Sequence, residues 1–80
     1  MPISVTFQPI NAATDDSVED GHLVWANGCL VAFLLPATEG WFMQLGLGPC
    51  EGEGKLFPTI GAAETWMMAN IPESWGPRAL

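Results

Sequence analysis

The chain reads as an α+β domain: a four-stranded antiparallel β-meander with one C-terminal α-helix packed on one face. Three observations predict it. "ISVTFQP" alternates apolar and polar residues. "HLVWANGCLVAFLLP" sets Asn27-Gly28 between two β-prone apolar runs. "FPTIGAAETWMMANI" repeats apolar residues at helical spacing.

The first strand places Ile3, Val5 and Phe7 on one face and Ser4, Thr6 and Gln8 on the other, and is expected to end at Pro9. "NAATDDSVEDG" has no apolar period and carries Asp15, Asp16, Glu19 and Asp20, which predicts a solvated loop, with room for one helical turn begun at Thr14 or Asp15. Asn27-Gly28 suits a type I′ hairpin turn, whose two central residues both need positive φ. A two-residue turn then predicts the register: Ala26 opposite Cys29, Trp25 opposite Leu30, Val24 opposite Val31, Leu23 opposite Ala32 and His22 opposite Phe33. Pro36 stops that strand. "ATEG" turns the chain into "WFMQLGL", with Trp41, Met43, Leu45 and Leu47 on one face and Phe42, Gln44 and Gly46 on the other. In the helix, Thr59 is the expected N-cap, Ile60, Ala63, Met67 and Ile71 form the buried stripe, and Pro72 is the stop. Residues 1–80 are one domain, with a folded core over 1–71 and a tail over 72–80 that carries Trp75.

The central hairpin has a consequence for function. In the expected register one face carries His22, Val24, Ala26, Cys29, Val31, Phe33 and Leu35. The other carries Leu23, Trp25, Leu30, Ala32 and Leu34. An antiparallel sheet with one wet face alternates apolar with polar residues, and these two strands do not. One short helix covers one face, so the second needs another cover: the tail with Trp75, the acidic loop, or a second molecule.

Composition narrows the partners. Apolar residues make up 49% of the chain and charged residues 14%, which rules out a disordered chain. Nine carboxylates outnumber Lys55 and Arg78, for a net charge of −7, so the chain lacks the cations that nucleic-acid phosphates or anionic membranes require. No apolar run approaches the roughly 18 residues of a membrane span. "MPISVTFQP" has no basic-then-apolar signal pattern, so a cytoplasmic location with Cys29 and Cys50 reduced is expected.

The motifs exclude more than they name. "GLGPCEGEGKLFPT" is rich in glycine and contains a lysine, as phosphate-binding loops do. A dinucleotide fingerprint would need glycine where Glu51 stands. A P-loop would need glycine at Pro49 and a hydroxyl residue at Leu56. Glu51 and Glu53 would also repel phosphate, so no nucleotide is expected. His22, Cys29 and Cys50 lack zinc-site spacing. His22 and Cys29 share a face but lie four positions apart along the hairpin, about 13 Å at about 3.3 Å per residue, too far for a nucleophile–base pair. The paired carboxylates lack the EF-hand pattern. No catalytic, metal or cofactor-binding residue is expected.

The run "FPTIGAAETW", Phe57 to Trp66, resembles the sheet-to-helix junction of small β-sheet-plus-helix modules, among them the arm-type DNA-binding domains of phage integrases. Those domains are basic and this chain is acidic, so DNA binding does not carry over. The fuller order "DGHLVWANGCLVAFLLP", "GWFMQLGLGPC", "LFPTIGAAETWM" is similar to a group of short bacterial proteins of the same β-meander-plus-helix shape. That likeness implies a fold and no activity.

The function expected is a non-catalytic protein–protein interaction module, able to self-associate as a homodimer. Its apolar contact face comprises Leu23, Trp25, Leu30 and Leu34, with Trp75. The alternative is an acidic decoy that docks on a basic nucleic-acid-binding protein through Asp15, Asp16, Glu19 and Asp20. An enzyme built on Cys50 and His22 ranks below both.

Overall fold

A five-stranded antiparallel sheet in the order β1-β2-β3-β4-β5, followed by one helix, forms the computed structural model. It describes residues 4–13, 15–52, 54–73 and 75. The expectations for Ile3, Glu53 and the tail past Trp75 lie outside these residues. The strands are β1 (Val5–Ala13), β2 (Val18–Ala26), β3 (Cys29–Ala37), β4 (Gly40–Gly46) and β5 (Lys55–Phe57), and the helix is α1 (Ile60–Asn70). The α+β class, the antiparallel meander and the C-terminal helix follow the sequence. The count of four strands does not. Lys55-Leu56-Phe57 is too short to show a period, yet it pairs with β4, Trp41 opposite Phe57 and Met43 opposite Lys55.

The first hairpin is longer than expected. β1 runs through Pro9 to Ala13 and pairs with β2 down to Ala13 opposite Val18, so most of the expected acidic loop is strand. Pro9 is tolerated because β1 is an edge strand, where a missing amide costs no interior ladder bond. The pairing of β2 with β3 begins only at His22 opposite Leu34. The last stretch of β1 and β2 therefore projects as a two-stranded ribbon.

The second hairpin turns at Asn27 (φ 50°) and Gly28 (φ 84°), as expected for a type I′ turn. Ala26 opposite Cys29 and Trp25 opposite Leu30 hold. Beyond them the register shifts: Val24 faces Ala32, Leu23 faces Phe33 and His22 faces Leu34. Val31 is the extra residue of a β-bulge, and it is buried. A second bulge lies in β4, where Leu45 pairs with Phe33 and Met43 with Leu34, leaving Gln44 between them.

The two bulges re-sort the faces. On one, here called inner, lie Val24, Ala26, Ala32, Leu34, Met43 and Phe57, all buried. Ala63 and Met67 of α1 and its C-cap Ile71 join this cluster, and Trp66 meets Phe57 with ring centroids 5.6 Å apart. Thr59 caps α1, its hydroxyl oxygen accepting from the Ala62 amide at 3.0 Å. A 3-10 turn at Gly48–Cys50 buries Cys50 in the same cluster.

Trp75 also packs against the inner cluster. Its carbonyl accepts from the Asn27 amide nitrogen at 2.8 Å. Its ring lies across Gly48, whose φ of +56° disfavours a side chain and where an added Cβ would come within 3.2 Å of the indole. Trp75 thus completes the inner core. Among the described residues, the tail does not cover the second face.

Candidate functional site

The outer face is the site the fold leaves open. It carries Leu23 and Trp25 from β2, Leu30, Phe33 and Leu35 from β3, Phe42 and Leu45 from β4, and Leu56 from β5. None of the eight is buried, and Leu45 and Leu56 are 44% and 45% exposed. Phe33 and Leu35 close over Gly21, where an added Cβ would fall 2.9 Å from the Phe33 ring. Because the 3-10 turn, α1 and Trp75 all belong to the inner cluster, none of them lies on this face.

Of the residues expected at a contact face, Leu23, Trp25 and Leu30 lie here. Leu34 does not: it is 0% exposed at the centre of the inner core. The bulge at Val31 shifts every later β3 side chain by one position, and a one-residue shift exchanges the faces. Phe33 and Leu35 take the outer places that the unshifted register assigned to Ala32 and Leu34, and Leu45 is turned outward by the second bulge. Nothing in the run "CLVAFLLP" marks where the extra residue falls. Phe42 was legible, since alternation in β4 already opposed it to Trp41 and Met43.

The polar groups of the outer face sit at its margin. The Trp25 indole N–H donates to the Gln8 side-chain oxygen at 2.9 Å, so the one polar atom of this large aromatic is satisfied within the chain. Thr6 and Gln8 form the β1 edge. Among the described residues, no strand residue of the five-stranded part of this face is charged, and Glu51 shares a cleft of about 310 Å³ with Gln44 and Leu45 at its β4 end. Glu19 shares its register but lies on the projecting ribbon, near Asp15, Asp16 and Asp20.

An open cleft of about 470 Å³ lies where the ribbon leaves the sheet, with His22, Trp41, Asp20 and Asn11 in its wall. The His22 ring stands edge-on to Trp41 at 4.8 Å and to Phe7 at 6.4 Å. Its Nδ1 is buried without a hydrogen-bond partner among the described residues. The cleft offers an imidazole and a carboxylate but no thiol or hydroxyl nucleophile among its lining. His22 pairs with Leu34 and Cys29 with Ala26, at opposite ends of the hairpin. Cys50 is buried under the 3-10 turn, and burial pushes its thiol above the ordinary value of 9.0, which keeps it protonated and unreactive at neutral pH.

The Gly-rich stretch leads into a strand. It forms the 3-10 turn, an isolated bridge from Gly52 to Gly46, and then β5, so a strand rather than a helix N-terminus follows it. Lys55 turns its ammonium over the rings of Trp66 (5.2 Å) and Phe57 (6.0 Å). Among the described residues, no three His, Cys, Asp or Glu side chains gather as metal ligands, and no helix is long and apolar enough to cross a membrane. Compared with protein-family models, curated proteins and solved structures, the chain finds no match.

Proposed function

We propose that this chain is a non-catalytic interaction module, and that it binds a protein partner through the outer face of its sheet while α1 packs on the inner face alone. The observation that carries this reading is the outer face itself: eight apolar side chains, three of them aromatic, on contiguous strands with no charge among them. At about 25 cal/mol per Å² of apolar surface, leaving such a patch in water forgoes several kcal/mol, a large fraction of a small domain's stability. A protein retains that cost where the surface has a partner. The partner's matching surface is apolar and uncharged.

Binding of an apolar fluorescent dye to the dilute chain tests the reading. A natively folded chain binds the dye, and the paired change Leu45→Glu and Leu56→Glu suppresses the binding. A chain that binds no dye at any dilution has closed the face with its own residues, and the reading fails.

A further inference from the structure

We infer that the partner on the outer face is a second copy of this chain, seated sheet on sheet about a two-fold axis. This inference rests on the reading of the outer face as a contact surface, and goes further by naming the occupant. Three observations favour that occupant over a different protein.

The first is size. The strands of the five-stranded part, which narrows to the three residues of β5, average about six residues; at about 4.8 Å between strands and about 3.3 Å per residue they give a face of roughly 460 Å², so two copies bury about 900 Å² in total. That is close to the roughly 1,000 Å² of a specific interface and matches the small end of the range, a size two copies reach without extra elements from a larger partner. Two sheets stacked this way stand about 10 Å apart with side chains interdigitated, the ordinary packing of a β-sandwich.

The second is charge. A basic partner needs carboxylates on the contact surface, and no strand residue of the five-stranded part supplies one; Glu51 stands at its edge, beside Leu45. The carboxylates of the ribbon, Asp15, Asp16, Glu19 and Asp20, lie at one end of it, beyond the pairing of β2 with β3. A neutral apolar face is complementary to a neutral apolar face, and a two-fold axis brings the same patch to both sides. Two chains of net charge −7 repel at long range, so salt strengthens this contact instead of weakening it.

The third is that the face is prepared to be dry. Trp25 brings the largest side chain, and its N–H is already held by Gln8 at 2.9 Å. Its ring can be buried by a partner surface that offers no acceptor, and the apolar centre of this same face, away from Thr6 and Gln8 at the β1 edge, is such a surface.

Light scattering during size-exclusion chromatography, over a hundredfold range of chain concentration and at 0.05 and 0.5 M salt, tests the inference. The expected species is a dimer of two 8.6 kDa chains that persists in 0.5 M salt. Leu45→Glu and Leu56→Glu, at exposed positions, should each give a folded 8.6 kDa monomer by circular dichroism. Gln8→Ala, which orphans the Trp25 donor, should weaken the dimer about tenfold with the fold intact. A dimer that dissolves in high salt overturns the inference, because an apolar contact between two acidic chains is not weakened by salt. A wild-type monomer at every concentration also overturns it. If that monomer binds the apolar dye, the face remains a contact surface for a different protein. If it binds none, the contact-surface reading falls as well.

Discussion

Phe33 and Leu34 are neighbours in one apolar run, yet they lie on opposite faces of the sheet. Leu34 pairs with His22 and Met43 and belongs to the buried core cluster, with no exposed surface. Phe33 rests against Gly21 and Leu45 on a face where no other layer of the described chain lies. The faces are alike in chemistry and differ in cover. α1, the 3-10 turn and Trp75 join the cluster on the inner one; among the described residues, the outer one has only its own strands. A small domain has one core to fill, so a second apolar face reads as a surface built for contact.

Substitutions on the two faces should therefore separate. Leu34→Ala removes a fully buried side chain and should cost about 2–5 kcal/mol in urea unfolding. Leu45→Ala, measured on dilute single chains, should cost under about 1 kcal/mol, because its side chain is already half in water. Comparable losses at both positions would mean the outer face is covered within the chain.

The lock that keeps Trp75 on the inner side comes next in size. Asn27 holds the left-handed turn position, accepts from the Ser4 amide at 3.0 Å and donates to the Trp75 carbonyl at 2.8 Å. Asn27→Ala should cost about 2 kcal/mol, from backbone strain and two lost bonds. It should also shift the Trp75 fluorescence toward that of a solvated indole. An unchanged spectrum would mean that packing against Gly48 alone holds the ring.

The smallest effect concerns the two thiols. Cys50 is buried and its thiol is raised above 9.0 by desolvation. Below that value folded and unfolded chains both keep the proton, and the group is silent. Above it the unfolded chain ionises first, so Cys50 makes stability fall as pH rises. Alkylation at neutral pH should label Cys29, which is partly exposed, and spare Cys50 until the chain unfolds. Equal labelling of both in the folded state would open the inner core to question.

The sequence made the element types readable because each carried a local signal: alternation in β1, Asn27-Gly28 at the turn, Thr59 and the Ile60–Ala63–Met67–Ile71 stripe in α1. It also showed that both faces of the central hairpin are apolar. It did not show which side chains share a face. A β-bulge flips everything beyond it, and in a run as uniformly apolar as "CLVAFLLP" no polar residue reports the flip. Leu34 was misplaced for that reason, and Phe33, Leu35 and Leu45 were missed. Pro9 obscured the rest of β1, since proline's tolerance on an edge strand depends on strand order, a tertiary property. β5 was missed because three residues carry no period.

The most direct measurement is the urea unfolding midpoint at two chain concentrations a hundredfold apart, for the wild type and for Leu45→Glu. A second copy on the outer face links unfolding to dissociation, so the wild-type midpoint should rise with concentration while that of the variant stays fixed. A wild-type midpoint independent of concentration would contradict a shared outer face, and the sheet would then bear its second apolar surface without another copy of itself.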